Sequence, residues 1–129
     1  MAYTILIVDD SNTIRGALER TLSMTKLPIE SIVQAGDGNE ALLMLKEHFV
    51  DVVLSDINMP NMNGIELVET MKSHSEYKEI PVIMISTEGS KARIEELNHI
   101  GIAGYLRKPS RPEQLRDILL QVLGGWDAE

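Results

Sequence analysis

Short apolar runs alternate with segments of helical period along the whole of this chain, and that alternation leaves few folds open. The runs are Thr4–Val8, Ser31–Ala35, Val50–Ser55, Pro81–Ile85 and Ala103–Leu106. They are rich in β-branched and aliphatic residues and lack helical spacing, as strands buried on both faces do. Between them, Ile14, Ala17, Leu18, Thr21 and Leu22 fall on one helical face, and so do Ala41, Leu42 and Leu45. Ile65, Val68 and Met71 form a third stripe, Ile94 and Leu97 a fourth, and Leu115, Ile118, Leu119 and Val122 a fifth. The punctuation agrees. Ser110 and Glu113, with Arg111 and Pro112 between them, have the form of a capping box before the last helix. Asp37 and Glu40 have a similar form before the second, and Gly101 suits the end of the fourth.

A strand followed by a helix, five times over, predicts an α/β domain: a five-stranded parallel sheet with helices on both faces and right-handed crossovers. The common five-strand order is 2-1-3-4-5, which makes strands 1 and 3 neighbours and opens a ligand crevice at their C-terminal ends. At 129 residues the chain is expected to be one domain, residues 1–129, large enough to build a full core.

Composition narrows the function classes. The absence of cysteine excludes disulfides and thiolate chemistry. No apolar run approaches the ~18 residues of a membrane span, and the first ten residues show no basic leader. A cytoplasmic protein without membrane contact is the expectation. A net charge of −8 repels phosphate backbones and argues against nucleic-acid partners. His48, His74 and His99 lack metal-ligand spacing.

Acidic charge does converge at one place. Asp9 and Asp10 end the first strand and Asp56 ends the third, so the 2-1-3 order brings three carboxylates together. Two unit charges about 5 Å apart repel by roughly 3 kcal/mol at an effective dielectric of 20, and three of them call for a cation. All candidate ligands are oxygens, and few enough that water must complete the shell, which points to Mg²⁺. The backbone carbonyl of Asn58 is a further candidate ligand. Strand 4 ends at Ser86 and Thr87, which bring hydroxyls, and strand 5 is followed by Lys108 and Pro109, which bring one ammonium. Taken singly, such pairs are commonly caps or turns. Together on the ligand-binding edge they can handle a phosphoryl group: cations neutralise its oxygens, a hydroxyl donates to one, and a carboxylate attacks phosphorus.

The segments ILIVDDS, VVLSDINMPNMNG, PVIMIS and GYLRKP stand in an order and spacing that resemble the receiver domain of two-component response regulators, from Ile5 to about Leu123. Within that family the chain is similar to single-domain chemotaxis regulators, which share the flavodoxin-like, CheY-like strand order. The resemblance implies a phosphoprotein in which Asp56 accepts a phosphoryl group from a sensor histidine kinase. It implies Mg²⁺ held directly by Asp10 and Asp56, by Asp9 largely through water, and by the Asn58 carbonyl. Ser86 would be the switch hydroxyl and Tyr105 the aromatic switch, its ring swinging inward when Ser86 moves. Lys108 would pair with Asp56 at rest, across a cis bond to Pro109, and with the phosphoryl group afterwards. Asn58 and Glu88 would flank the path of the hydrolytic water and tune the lifetime of the phosphoryl group. The implied output is binding of a downstream protein, either a flagellar motor switch or a relay protein, with a phosphatase as a further partner; a monomer is the simplest expectation for the oligomeric state. Such a protein is not an enzyme, although it assists its own phosphorylation and dephosphorylation.

The chain departs from the family in places. Ser110 stands where an aromatic is usual, Ser86 replaces the commoner Thr, and Ile57 follows the acceptor where Trp occurs in some relatives. The single tryptophan, Trp126, lies beyond the last helix in the tail Gly124–Glu129, where it should report poorly on phosphorylation. Other readings fit less well. A flavin or nucleotide module needs a phosphate loop where Asp9 and Asp10 stand, and a phosphohydrolase of the aspartyl class carries its motif on the first core strand. A phosphorelay intermediate, or a pseudo-receiver that binds partners unphosphorylated, uses the same fold.

Overall fold

The computed structural model describes residues 2–124, so Trp126 lies outside the described residues. Ten elements alternate: β1 (Tyr3–Val8), α1 (Asn12–Ser23), β2 (Ile29–Ala35), α2 (Gly38–Glu47), β3 (Val52–Ser55), α3 (Gly64–Lys72), β4 (Val82–Ser86), α4 (Lys91–Ile100), β5 (Gly104–Arg107) and α5 (Pro112–Leu123). The strands form one parallel sheet in the order β2-β1-β3-β4-β5. Every predicted strand is present with its ends moved by one or two residues, and each of the five apolar stripes falls within a helix.

Side chains alternate across a strand, and the central strands use the alternation to feed two cores. Leu6 and Val8 of β1 join Val53, Leu67, Val68, Met71, Met84 and Leu97 on the face covered by α2, α3 and α4. Ile5 and Ile7 join Leu22, Leu54, Ile83, Ile85, Leu115 and Leu119 on the face covered by α1 and α5. Ile5, Leu6, Ile7 and Val8 are all fully buried, which is why this strand reads as a continuous apolar run. Burying a leucine or isoleucine side chain stabilises by about 1.5–3 kcal/mol, so polar residues on these strands are confined to the ends.

The helix boundaries are set by local chemistry. The Asp37 carboxylate accepts the Glu40 N–H at 2.9 Å at the start of α2, as expected. The Glu40 side chain, however, accepts from the Gly36 N–H at 2.7 Å, one residue before the cap. Gly101 ends α4 with φ of 99°, in the left-handed region glycine favours. The box expected at Ser110 and Glu113 lies one residue further on. Arg111 is the N-cap residue of α5, Gln114 Oε1 accepts the Arg111 N–H at 2.9 Å, and no side chain caps from position 111. Pro112 explains the register: it occupies the first helical position, where its missing N–H costs nothing. A complete box forms instead at Asn63 and Glu66, before α3.

Candidate functional site

The C-terminal ends of β1, β3, β4 and β5 meet on one edge, and residues at or just past each end reach the same crevice. Carboxylate oxygens of Asp9, Asp10 and Asp56 lie within 4.8 Å of one another. Asp9 is buried, Asp56 half-buried and Asp10 exposed. The buried carboxylate is fully engaged: Oδ1 accepts the Ser11 N–H at 3.0 Å and Oδ2 accepts from Lys108 Nζ at 2.8 Å. Asp56 is held at both oxygens as well. Its Oδ1 accepts the Ile57 N–H at 2.7 Å, and its Oδ2 lies 3.3 Å from Lys108 Nζ.

Lys108 therefore differs from expectation in one respect. It was expected to pair with Asp56; it bridges Asp56 and Asp9, and the shorter contact is to Asp9. The Lys108–Pro109 bond is cis, as expected. Burial works against the Lys108 charge, but the hydrogen bond to Asp9 and the negative charges of Asp56 and Asp9 outweigh it and hold the ammonium above its usual pKa.

Charge counting shows what the crevice can hold. Three carboxylates and one ammonium (−3 + 1) leave −2. The donors are hard oxygens, and exposed Asp10 keeps one side open to water. That set fits a divalent cation of the oxygen-seeking kind.

The opposite wall is the loop between β4 and α4. Ser86 is 1% exposed, and its Oγ accepts the Glu88 N–H at 3.2 Å. Its own proton remains for donation, whereas neighbouring Thr87 is exposed. Tyr105 packs its half-buried ring against the core on the α2–α4 face, and its hydroxyl donates to the Glu88 carbonyl. Burial, together with the charges of Glu88 and Asp56, keeps that phenol above its usual pKa despite Arg107. Asn58 is exposed, and its amide reaches Glu88 Oε1 at 3.5 Å. The other Glu88 oxygen accepts from Arg93 Nε at 3.1 Å. All the sequence-predicted residues thus lie along one edge, in two groups: Asp9, Asp10, Asp56 and Lys108 on one side, and Ser86, Glu88, Asn58 and Tyr105 on the other.

Sequence reasoning missed three contributors. Gly64 packs the start of α3 against the loop after β3; a Cβ there would lie 2.3 Å from the Asp56 carbonyl oxygen, and the Gly64 N–H donates to the Ile57 carbonyl at 2.8 Å. Arg15 donates to the Asp9 carbonyl and, at 3.0 Å, to Gln34 Oε1, tying α1 and β2 to the end of β1. Arg93 pairs with Glu88 and Glu96. The asparagine–glycine step before α3 could have flagged the first as a close approach, but nothing local marks the two arginines.

Comparison with known proteins agrees with this geometry. The family described as "Response regulator receiver domain" matches residues 5–120. The chain is 42% identical over 124 residues to chemotaxis protein CheY1 of Helicobacter pylori, covering 95% of this chain and 98% of that protein. It is 39% identical over 126 residues to a chemotaxis protein CheY homolog of Campylobacter jejuni, covering 97% and 95%. Among solved structures it superposes on the Vibrio cholerae chemotaxis protein CheY4 with a TM-score of 0.85 and 37% identity, over 95% of this chain and all of that one.

Proposed function

The chain belongs to the response regulator receiver family, and from that premise we propose that it is a chemotaxis regulator of the CheY kind, a phosphorylation-activated switch whose acceptor is Asp56. The observation that carries the proposal is the posture of the Asp56 carboxylate. One oxygen is fixed by the Ile57 N–H, the other faces Lys108, and both stand beside Asp9 and Asp10. The phosphoryl donor is a phosphohistidine of a sensor kinase in the cytoplasm, and the listener is a flagellar motor switch protein. The whole chain acts as one receiver domain.

Asp10, Asp56 and the Asn58 carbonyl would hold Mg²⁺, with Asp9 contributing through water, and the bound ion would supply positive charge beside the phosphoryl oxygens. The Asp56 carboxylate attacks phosphorus through one of its oxygens, the O–P bond forms, the P–N bond to the donor imidazole breaks, and that nitrogen keeps the electron pair and takes up a proton. Lys108 stands ready to pair with a second phosphoryl oxygen, and the unused Ser86 proton can be donated to a third. Because the Ser86 oxygen also accepts from Glu88, whose carbonyl receives the Tyr105 hydroxyl, a shift at Ser86 is passed to Tyr105. Switching then reaches the surface made by α4, β5 and α5. Hydrolysis returns Asp56 to its carboxylate, with Asn58 and Glu88 flanking the water. The protein thereby assists both steps without acting on a separate substrate.

The decisive measurement is intact mass after incubation with acetyl phosphate and Mg²⁺, with Asp56→Asn alongside. One metal-dependent phosphoryl adduct on the wild type and none on the variant is expected; an equal adduct on Asp56→Asn would remove Asp56 as the acceptor. Loss of the adduct within about a minute accords with a chemotaxis role, and persistence for many minutes would move the reading to a phosphorelay.

A further inference from the structure

Glu88 is gripped from four directions. Its N–H donates to Ser86, its carbonyl accepts from Tyr105, one carboxylate oxygen meets Asn58, and the other meets Arg93. Three of these partners belong to the strand-end site. The fourth is on α4, where the Arg93 guanidinium sits between Glu88 at 3.1 Å and Glu96 at 2.8 Å. Ser90 caps the same helix through the Arg93 N–H at 3.1 Å, so the backbone that carries the guanidinium is itself anchored.

We propose that Arg93 is a positioning residue that lengthens the life of the phosphoryl group, by pinning the Glu88 carboxylate beside Asn58 across the mouth of the site. The inference rests on the reading of Asp56 as the acceptor. Asn58 lies two residues beyond Asp56, and Glu88 two beyond Ser86, so their contact spans the gap between the ends of β3 and β4. Water must enter that gap to reach phosphorus. A phosphoryl group brings about −1.5 to −2 charges and repels the Glu88 carboxylate. Held only by Asn58 at 3.5 Å, the carboxylate would turn to solvent and leave the gap open. The guanidinium opposes this with a directed N–H and a full positive charge. The grip also makes phosphoryl lifetime answer to α4, because anything that draws Arg93 toward a bound partner loosens Glu88.

The test uses the full chain phosphorylated with acetyl phosphate and Mg²⁺, freed of donor, and followed by intact mass. Arg93→Ala should take up one phosphoryl group and lose it roughly threefold or more faster than wild type, the scale of a partly exposed ion pair. Arg93→Lys, which keeps the charge but not the planar fork, should restore most of the lifetime. Glu88→Gln should also shorten it, and the double variant Arg93→Ala/Glu88→Gln should be no faster than the faster single one. About 1 M NaCl, which screens the pair, should hasten wild-type decay and leave Arg93→Ala unchanged. A role for Arg93 in stability alone would move the unfolding midpoint without this pattern of rescue and non-additivity. Unchanged or slower decay in Arg93→Ala, with uptake on Asp56 intact, would overturn the role of Arg93 and spare the acceptor. Additive effects in the double variant would do the same. No uptake on wild-type Asp56 would overturn both.

Discussion

At the scale of single residues, the site depends on contacts too close to allow substitution. Gly64 is the clearest case. A Cβ at that position would press on the Asp56 carbonyl oxygen and come within 3.1 Å of Ile57 Cα. Both obstacles are backbone and cannot rotate away. Gly64→Ala should therefore destabilise by about 1–3 kcal/mol, the usual cost of overpacking, read as a lower urea midpoint. It should also slow phosphoryl uptake by displacing the loop that follows Asp56. Lys108 depends on charge rather than on space. Its ammonium serves the buried Asp9 carboxylate and Asp56 together, so Lys108→Ala removes the cation that a phosphoryl oxygen would draw away from Asp9. Phosphorylation should survive this change and its transmission should not. Amide chemical-shift changes at Ser86, Glu88 and Tyr105 on phosphorylation should be large in the wild type and small in Lys108→Ala. Equal changes in both would separate Lys108 from the switch.

Elements are positioned by their caps, and the cap at Asp37 carries a pH signature. Its carboxylate accepts the Glu40 N–H, accepts from the Asn61 amide at 2.8 Å, and resists the opposing effect of burial, so its pKa lies below the ordinary aspartate range. A carboxyl group with a depressed folded pKa adds stability that is present above its unfolded pKa, about 3.9, and lost as pH falls through the folded value. Asp37→Asn keeps a capping side chain and loses the titration. The stability gap between wild type and Asp37→Asn should be level above about pH 5 and shrink below about pH 4, in urea melts across that range. A gap independent of pH would show that the charge of Asp37 contributes nothing. The last helix teaches the complementary point. Ser110 and Glu113 satisfy the capping pattern in sequence, yet Pro112 sets the first turn and the cap falls at Arg111. Pattern matching reads residue types, whereas the backbone also weighs which N–H is missing.

For the whole molecule, the site adds a constraint that the core has no part in. Three carboxylates within 4.8 Å repel one another, and one ammonium offsets only a third of their charge. A ligand that binds this folded arrangement and not the unfolded chain stabilises it by mass action. Mg²⁺ well above its dissociation constant should raise the unfolding temperature by about 7 to 11 °C, given about 2 to 3 kcal/mol at a hundredfold excess and the entropy of unfolding of a domain this size. The rise should be absent in Asp10→Ala. That variant should also be slightly more stable than wild type without metal, because one repulsive charge is gone. An undiminished rise in Asp10→Ala would place the ion elsewhere.

Much of this protein was determined by sequence alone because its fold is written in local periodicity. Five strands, five helical stripes and the carboxylates at strand ends are facts about neighbours in the chain, although the expectation that every strand is buried holds for the central β1, β3 and β4 and not for the partly exposed edge strands β2 and β5. Together with the handedness of crossovers they lead to the order 2-1-3-4-5 and to Asp9, Asp10, Asp56, Ser86 and Lys108 on one edge. Tertiary structure alone decided the pairings across that edge. Lys108 divides itself between two aspartates 52 and 99 residues away along the chain, Glu88 is gripped by residues of β4, β5, α4 and the loop after β3, and Gly64 sits against the Asp56 backbone. These are choices among several chemically similar partners, separated by fractions of an ångström and small energies, and no periodicity in the chain records which partner is nearer.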